Sequence, residues 1–180
     1  MRAGFTLVEL LITITIIAIA TAAIIPSFSS FIRNQNVKQA QEQLKSDLRN
    51  VQNKALTGAL SDATIGTNPV LYWGIRFTAG TGTGSPRYET FISAVNTTCP
   101  SGAIPAAQLQ GYAEVTTDLQ VKATNNRCIY FSISNGDIST VNFPAQQVIV
   151  GYINGVNGDC RRILFNSNGL IYTTTSVACS

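Results

Sequence analysis

Residues 5–25 read FTLVELLITITIIAIATAAII, an almost uninterrupted apolar run near the start of the chain. It contains 21 residues and a single charged side chain, Glu9. A helix of this length, rising about 1.5 Å per residue, spans roughly 30 Å, which matches the hydrocarbon thickness of a bilayer. The stretch therefore predicts a transmembrane helix with one anomaly, because a carboxylate within the bilayer costs about 2.5–3.5 kcal/mol on insertion scales.

A cleaved secretory signal peptide is the alternative interpretation of this stretch. Arg2 would supply its basic start, and residues 18–23 its small-residue cleavage site. However, the apolar run is longer than a usual signal core, and an amphipathic pattern continues directly out of it. Both features favour a helix that is retained in the mature protein.

The segment Gly4-Phe5-Thr6-Leu7-Val8-Glu9 resembles the start of type IV pilins and pseudopilins. The resemblance implies a leader over residues 1–4, cleavage between Gly4 and Phe5 by a prepilin peptidase, and N-methylation of Phe5. It also implies that Glu9 acts in assembly, where it meets the Phe5 amine of a neighbouring subunit. Pairing these two charges lowers the cost of each in the membrane. Arg2 in the leader predicts a cytoplasmic start.

A second, amphipathic part of the helix is predicted over residues 26–60. Pro26 matches the family, in which a proline near this place bends or melts the helix and is part of the assembly segment. Helical periodicity resumes beyond it, with one apolar stripe that is expected to pack on a sheet. The stripe consists of Val37, Ala40, Leu44, Leu48, Val51 and Ala55. A helix over residues 5–59 would be about 80 Å long, with half of it projecting as a shaft.

Residues 61–70 are predicted as a linker, and residues 71–180 as a β domain rich in Thr, Ser, Asn and Gly. Turn signals occur at Asn135-Gly136 and Asn168-Gly169, the second within a hairpin. We expect one largely meandering antiparallel sheet, hence an α+β, pilin-like fold with the long helix covering one face. The predicted strands are residues 71–77, 87–95, 113–121, 127–134, 147–153, 161–165 and 170–174.

Four cysteines all follow the apolar segment, and none forms a C-x-x-C pair. An even count of this kind predicts two disulfides in an oxidising compartment. Four cysteines allow three connectivities. The turn at residues 168–169 would set Cys160 opposite Val177 with Cys179 two residues beyond, so we favour Cys160–Cys179 and Cys99–Cys128.

Catalysis is not expected of this chain. It contains no histidine, which excludes the usual histidine metal sites and Ser-His-Asp catalysis. Paired carboxylates and phosphate loops are also missing from the sequence, so no cofactor and no metal are predicted. Residues 154–159 alternate oxygen ligands as calcium loops do, but they lack the closing Glu and are interpreted as a polar turn.

The predicted function is therefore structural, as a minor pilin or pseudopilin of a type IV pilus or a type II secretion system. The layout of the β domain loosely resembles the GspH/FimT-like minor pseudopilins. Expected partners are the prepilin peptidase, other subunits, the inner-membrane assembly platform and membrane lipid. The chain would be a single-pass protein of the inner membrane, with its C-terminal domain outside the cytoplasm, before it enters the filament.

Two alternatives stay open beside this prediction. One is a FimT-like minor pilin that binds DNA for uptake, and the other is a major pilin of an adhesive fibre. The tail over residues 173–180 carries no Arg or Lys, which departs from the FimT-like pattern and argues against DNA. The adjacent Arg161 and Arg162 would point to opposite faces of a strand and make no patch.

Overall fold

The computed structural model describes residues 5–78, 87–115, 119–122, 126–143, 145–152 and 160–177. One helix, α1, spans Leu7–Leu56 and runs without interruption through position 26. It contributes to two compact units, Met1–Asn36 and Val37–Ser180. The side chains of residues 23–27 are outside the description, so Pro26 is placed in α1 by its backbone alone.

The β strands of the second unit follow α1 in the chain. They are β1 Thr64–Ile65, β2 Asn68–Pro69, β3 Tyr72–Phe77, β4 Arg87–Ser93, β5 Leu109–Glu114, β6 Leu119–Val121, β7 Arg127–Ser132, β8 Ile138–Val141, β9 Gln147–Tyr152, β10 Cys160–Phe165 and β11 Ile171–Val177. They form a five-stranded sheet in the order β5-β4-β3-β7-β8 and a four-stranded sheet in the order β11-β10-β9-β6. The short strands β1 and β2 pair separately, and every pairing is antiparallel.

A single main core joins α1 to both sheets. All six residues of the predicted apolar stripe are at most 3% exposed, because residues three and four apart share one helix face. The stripe packs with the face of the five-stranded sheet that carries Trp73, Ile75 and Phe131, which we call the inner face. Side chains of the four-stranded sheet, such as Val150 and Ile163, complete the same core. The α+β, pilin-like fold class predicted from the sequence is confirmed.

The opposite, outer face of the five-stranded sheet carries Arg76, Phe91, Cys128 and Tyr130. It is covered by the segment between β4 and β5, residues 94–108, which we call the outer loop. Arg76 is 4% exposed and pairs with Glu89, and its Nη1 donates to the carbonyl of Pro100 over 3.0 Å. Since a buried guanidinium must be both paired and hydrogen-bonded, these contacts fix the outer loop against the sheet.

A disulfide strengthens this attachment. Cys99 of the outer loop is bonded to Cys128 of β7, with 5.4 Å between the Cα atoms, so the pairing favoured from the sequence is present. Cys160 is also disulfide-bonded. Its predicted partner, Cys179, lies outside the described residues.

The prediction of a single sheet is wrong, although the pairing is antiparallel and most neighbouring strands are consecutive in the chain, as predicted. The strand predicted over residues 113–121 is two strands: β5 pairs with β4 in one sheet, and β6 pairs with β9 in the other. Strand β8 follows the predicted Asn135-Gly136 turn and was not predicted, and the predicted linker contains the β1–β2 pair. Periodicity along the chain reports which residues are half-buried, but it does not report which distant strand they pair with.

The last hairpin agrees more closely with its prediction. Gly169 has φ +84°, a left-handed conformation that glycine adopts without strain, and it lies in the turn. Cys160 pairs with Val177 as expected. A register shift between Arg161 and Arg162 separates this pair, together with the pair of Arg161 and Ser176, from the rest of the hairpin. The bulge therefore gives β10 and β11 a break in their ladder that local turn chemistry does not predict.

Candidate functional site

The N-terminus of α1 is built by Thr6 and Glu9. The helix begins at Leu7, so Phe5 and Thr6 stand outside it. The backbone N–H of Glu9 donates to the hydroxyl of Thr6 over 3.2 Å, and the N–H of Leu10 donates to the Thr6 carbonyl over 3.2 Å. A threonine that accepts from the third helical residue is an N-cap, and Thr-x-x-Glu is the sequence of a capping box. The segment Thr6-Leu7-Val8-Glu9 displays this signal in the sequence, but the cap was not among the predictions.

Glu9 consequently sits in the first turn of α1 with an exposed side chain. A negative charge is favourable there, because unpaired N–H groups make the N-terminus of a helix partly positive. Phe5 lies four residues earlier and is 75% exposed. The carboxylate and the residue that would carry the new amine therefore flank one and the same helix start.

The threonines that follow use their hydroxyl protons within the helix itself. The hydroxyl of Thr13 donates to the carbonyl of Leu10 over 2.7 Å, and that of Thr15 to Ile12 over 2.8 Å. Thr21 donates in the same way to the carbonyl of Ile17. Each hydroxyl is thus satisfied within its own helix, which is how such groups are tolerated in apolar surroundings.

The large side chains of this segment are exposed in the single chain. Every large apolar residue in the first four turns of the helix is more than half exposed. They are Leu7, Val8, Leu10, Leu11, Ile12, Ile14, Ile16, Ile17 and Ile19. An exposed apolar surface of this extent marks contact with a membrane or with other proteins. Within the described ranges, no helix is both long enough and apolar enough to traverse a membrane.

The structure places the predicted site residues as follows. Phe5 and Glu9 are at the start of α1, while Gly4, on the other side of the proposed cut, lies outside the described residues. Position 26 is within α1. The four cysteines belong to the second unit, Val37–Ser180.

The remaining candidate sites contribute little. Among the described residues, no cluster of three or more possible metal ligands is present. The possible calcium loop over residues 154–159 lies outside the described part of the chain. Arg161 and Arg162 are half-buried within β10, where they pair with Val150 and Ile149 of β9. A half-buried position inside a sheet is poorly suited to phosphate contact, which needs an exposed cation.

Comparison with known proteins gives one result. Residues 1–25 match the family model described as the prokaryotic N-terminal methylation motif. No curated protein and no solved structure matches the chain. The match covers Gly4, Phe5 and Glu9, the residues on which the sequence interpretation rests.

Proposed function

We propose that this chain, which carries the N-terminal methylation motif of the type IV pilin and pseudopilin family, is a structural subunit of a type IV pilus or a type II secretion pseudopilus. Prepilin peptidase would cut between Gly4 and Phe5 and leave Phe5 as the methylated N-terminus. The apolar part of α1 would hold the subunit in the inner membrane as a single span and afterwards enter the filament. The GspH/FimT-like branch stays a prediction.

The observation that carries the proposal is that Phe5 and Glu9 lie on either side of one helix start. Cleavage would create a positive amine at Phe5, beside the partly positive end of α1. Burying either charge alone in an apolar medium, this amine or the Glu9 carboxylate, costs free energy. In a filament, the carboxylate of one subunit can neutralise the amine of the next, so a subunit gains this contact only by assembling.

The sequence Thr6-x-x-Glu9 also permits a second role, in which the Glu9 side chain accepts from the backbone N–H of Thr6, and there a glutamine serves as well as a glutamate. The observed half of the cap, from the Glu9 backbone N–H to the Thr6 hydroxyl, is open to any residue at position 9. Glu9→Gln therefore keeps the capacity for the side-chain cap while removing the charge, whereas Glu9→Leu removes both. Glu42, an exposed carboxylate further along α1, provides the matched control Glu42→Gln.

The test is to express the three variants in the native host and to measure cleavage by mass and filament entry by fractionation. We expect all three to be cleaved, because Gly4 sets the cut, and we expect Glu9→Gln and Glu9→Leu to be lost from filaments. Glu42→Gln should assemble normally. Normal filament entry of cleaved Glu9→Gln would refute charge pairing, and a failure of Glu9→Gln to be cleaved would assign Glu9 to peptidase recognition instead.

A further inference from the structure

A polar cleft opens beside the outer face of the five-stranded sheet, where three separate segments meet. Tyr72 begins β3, Asn96 lies in the outer loop, and the others come from the β7–β8 hairpin: Ser132, Asn135, Asp137, Ile138 and Ser139. The cleft lies at the end of the second unit at which α1 stops. A side chain added at Gly136, in the hairpin turn, would come within 2.5 Å of Leu56, the last residue of α1.

The chemistry of the lining restricts what the cleft can bind. It offers one tyrosine ring with its hydroxyl, two amides, two serine hydroxyls, one carboxylate and the aliphatic Ile138, with neither Lys nor Arg among the described lining residues. Asp137 would repel an anion, and a single carboxylate is a poor set of ligands for a divalent cation. The walls are too polar for a purely apolar ligand. What fits is an uncharged molecule that has hydrogen-bonding edges and an apolar face.

The polar groups are already held in position. Asn135 Nδ2 donates to Asp137 Oδ2 over 2.6 Å, and Asp137 N donates back to Asn135 Oδ1 over 3.2 Å. Asn96 Nδ2 donates to Ser139 Oγ over 3.0 Å. A carboxylate has about four lone-pair positions, and an amide oxygen and a hydroxyl also keep capacity for a further partner. Such preorganisation reduces the entropy that binding would cost.

The aromatic ring and the outer-loop wall are fixed as well. Tyr72 packs edge-on against Tyr130, with 6.2 Å between ring centroids. Tyr130 in turn donates its hydroxyl to the carbonyl of Thr98, one residue before the Cys99–Cys128 bridge. Asn96 therefore stands three residues from a covalent attachment to the sheet. The disulfide therefore holds the outer-loop wall of the cleft in position.

From this geometry we propose that the cleft binds a neutral pyranose sugar at the end of a glycan. The ring of Tyr72 provides an apolar contact for the sugar face, and Asn96, Asp137 and Ser139 hydrogen-bond to its hydroxyls. This inference concerns the second unit and does not depend on cleavage or filament assembly.

The experiment uses the full-length chain with its disulfides intact, in a phosphocholine detergent, because glycoside detergents would compete for the cleft. Amide and side-chain amide resonances are followed while methyl glycosides of glucose, galactose, mannose and N-acetylglucosamine are added separately. Glucuronate serves as the charged counterpart of glucose. The variants are Asp137→Ala and Ser139→Ala, with Asp62→Ala as an exposed control outside the cleft.

We expect saturable shifts at Asn96, Asp137 and Ser139 with at least one neutral sugar, at millimolar affinity. Asp137→Ala should weaken this binding about tenfold or more and Ser139→Ala about fivefold, while Asp62→Ala should leave it unchanged. Glucuronate should bind more weakly than its neutral counterpart. The proposal is overturned if no sugar shifts these resonances, if a well-folded Asp137→Ala and Ser139→Ala bind as tightly as wild type, or if glucuronate binds best.

Discussion

At the scale of single residues, Gly74 shows how a missing side chain can be required. Gly74 lies in β3 directly opposite Phe91 of β4, on the outer face. A Cβ added there would lie 2.5 Å from Phe91 Cζ and 2.6 Å from Cε1. Phe91 is 1% exposed and packs against Tyr130 with ring centroids 5.6 Å apart, so its ring has little room to move.

We therefore expect Gly74→Ala to destabilise the protein by about 1–3 kcal/mol, the usual cost of overpacking a core. The measurement is the free energy of unfolding from denaturant titration. The control is Gly102→Ala, since a Cβ at Gly102 meets no atom within 4 Å. Equal stability of the two variants would show that the outer face is not closely packed at Gly74.

The buried Tyr130 on the outer face makes the stability of the protein depend on pH. Burial raises the pKa of its hydroxyl to about 12, and the positive charge of Arg76 offsets this only in part. Tyrosine in the unfolded chain titrates near pH 10, so above that pH the unfolded state binds fewer protons than the folded state. Stability is then unaffected below about pH 10 and falls as pH rises from about 10 to 12.

The expected result is that Tyr130→Phe loses less stability than wild type over this alkaline range. Some loss should remain, because burial and the bond to Asp47 also raise the pKa of Tyr88. The measurement is the free energy of unfolding between pH 8 and 12. The control is Tyr112→Phe, because Tyr112 is exposed. An unchanged alkaline slope in Tyr130→Phe would contradict the assignment.

At the scale of elements, the contact between α1 and the β10–β11 hairpin depends on polar groups as well as on the apolar stripe. Gln41 is 1% exposed, and its Nε2 donates to the carbonyls of Arg162 over 2.7 Å and Thr174 over 3.1 Å. These carbonyls belong to paired residues beside the bulge. Arg49 donates to Ile171 and Gln52 to Gly169, so three side chains of α1 hydrogen-bond to this hairpin.

Gln41→Leu should cost about 1–3 kcal/mol, because it leaves buried carbonyls without a donor while keeping the volume. Amide hydrogen exchange should also speed up in β10 and β11 more than in the five-stranded sheet. Gln39→Leu, at an exposed position of the same helix, should change neither quantity. If Gln41→Leu is as stable as wild type, the apolar stripe alone holds the hairpin.

Among the elements, some buried residues and strands were predictable from the sequence and others were not. The apolar stripe from Val37 to Ala55 was predicted residue by residue, because helix periodicity is local and one face of the helix is buried. Gln41 was not predicted as a core residue, since a polar side chain is buried only where distant carbonyls happen to need a donor. The strands β5 and β6 were merged into one, because the local pattern does not show that β5 pairs with the preceding strand β4 whereas β6 pairs with the distant strand β9.

At the scale of the whole molecule, the two units carry different kinds of information. In the first unit a short motif is sufficient: the segment from Gly4 to Glu9 led to the family interpretation, and the match over residues 1–25 supports it. In the second unit the fold depends on contacts between distant segments, so the fold class was predictable but the division into two sheets was not. The polar cleft, like the division into two sheets, was not predictable from the sequence, since its walls come from three separate segments.

As a prepilin-type precursor, the chain would be cut between Gly4 and Phe5. The most direct measurement is the intact mass and N-terminal sequence of the protein recovered from membranes and filaments of the native host. We predict that the chain begins at Phe5 and carries one added methyl group on its amine, with the whole apolar segment retained. A chain that still begins at Met1, or one cut within residues 18–23 so that the apolar segment is lost, would contradict the account.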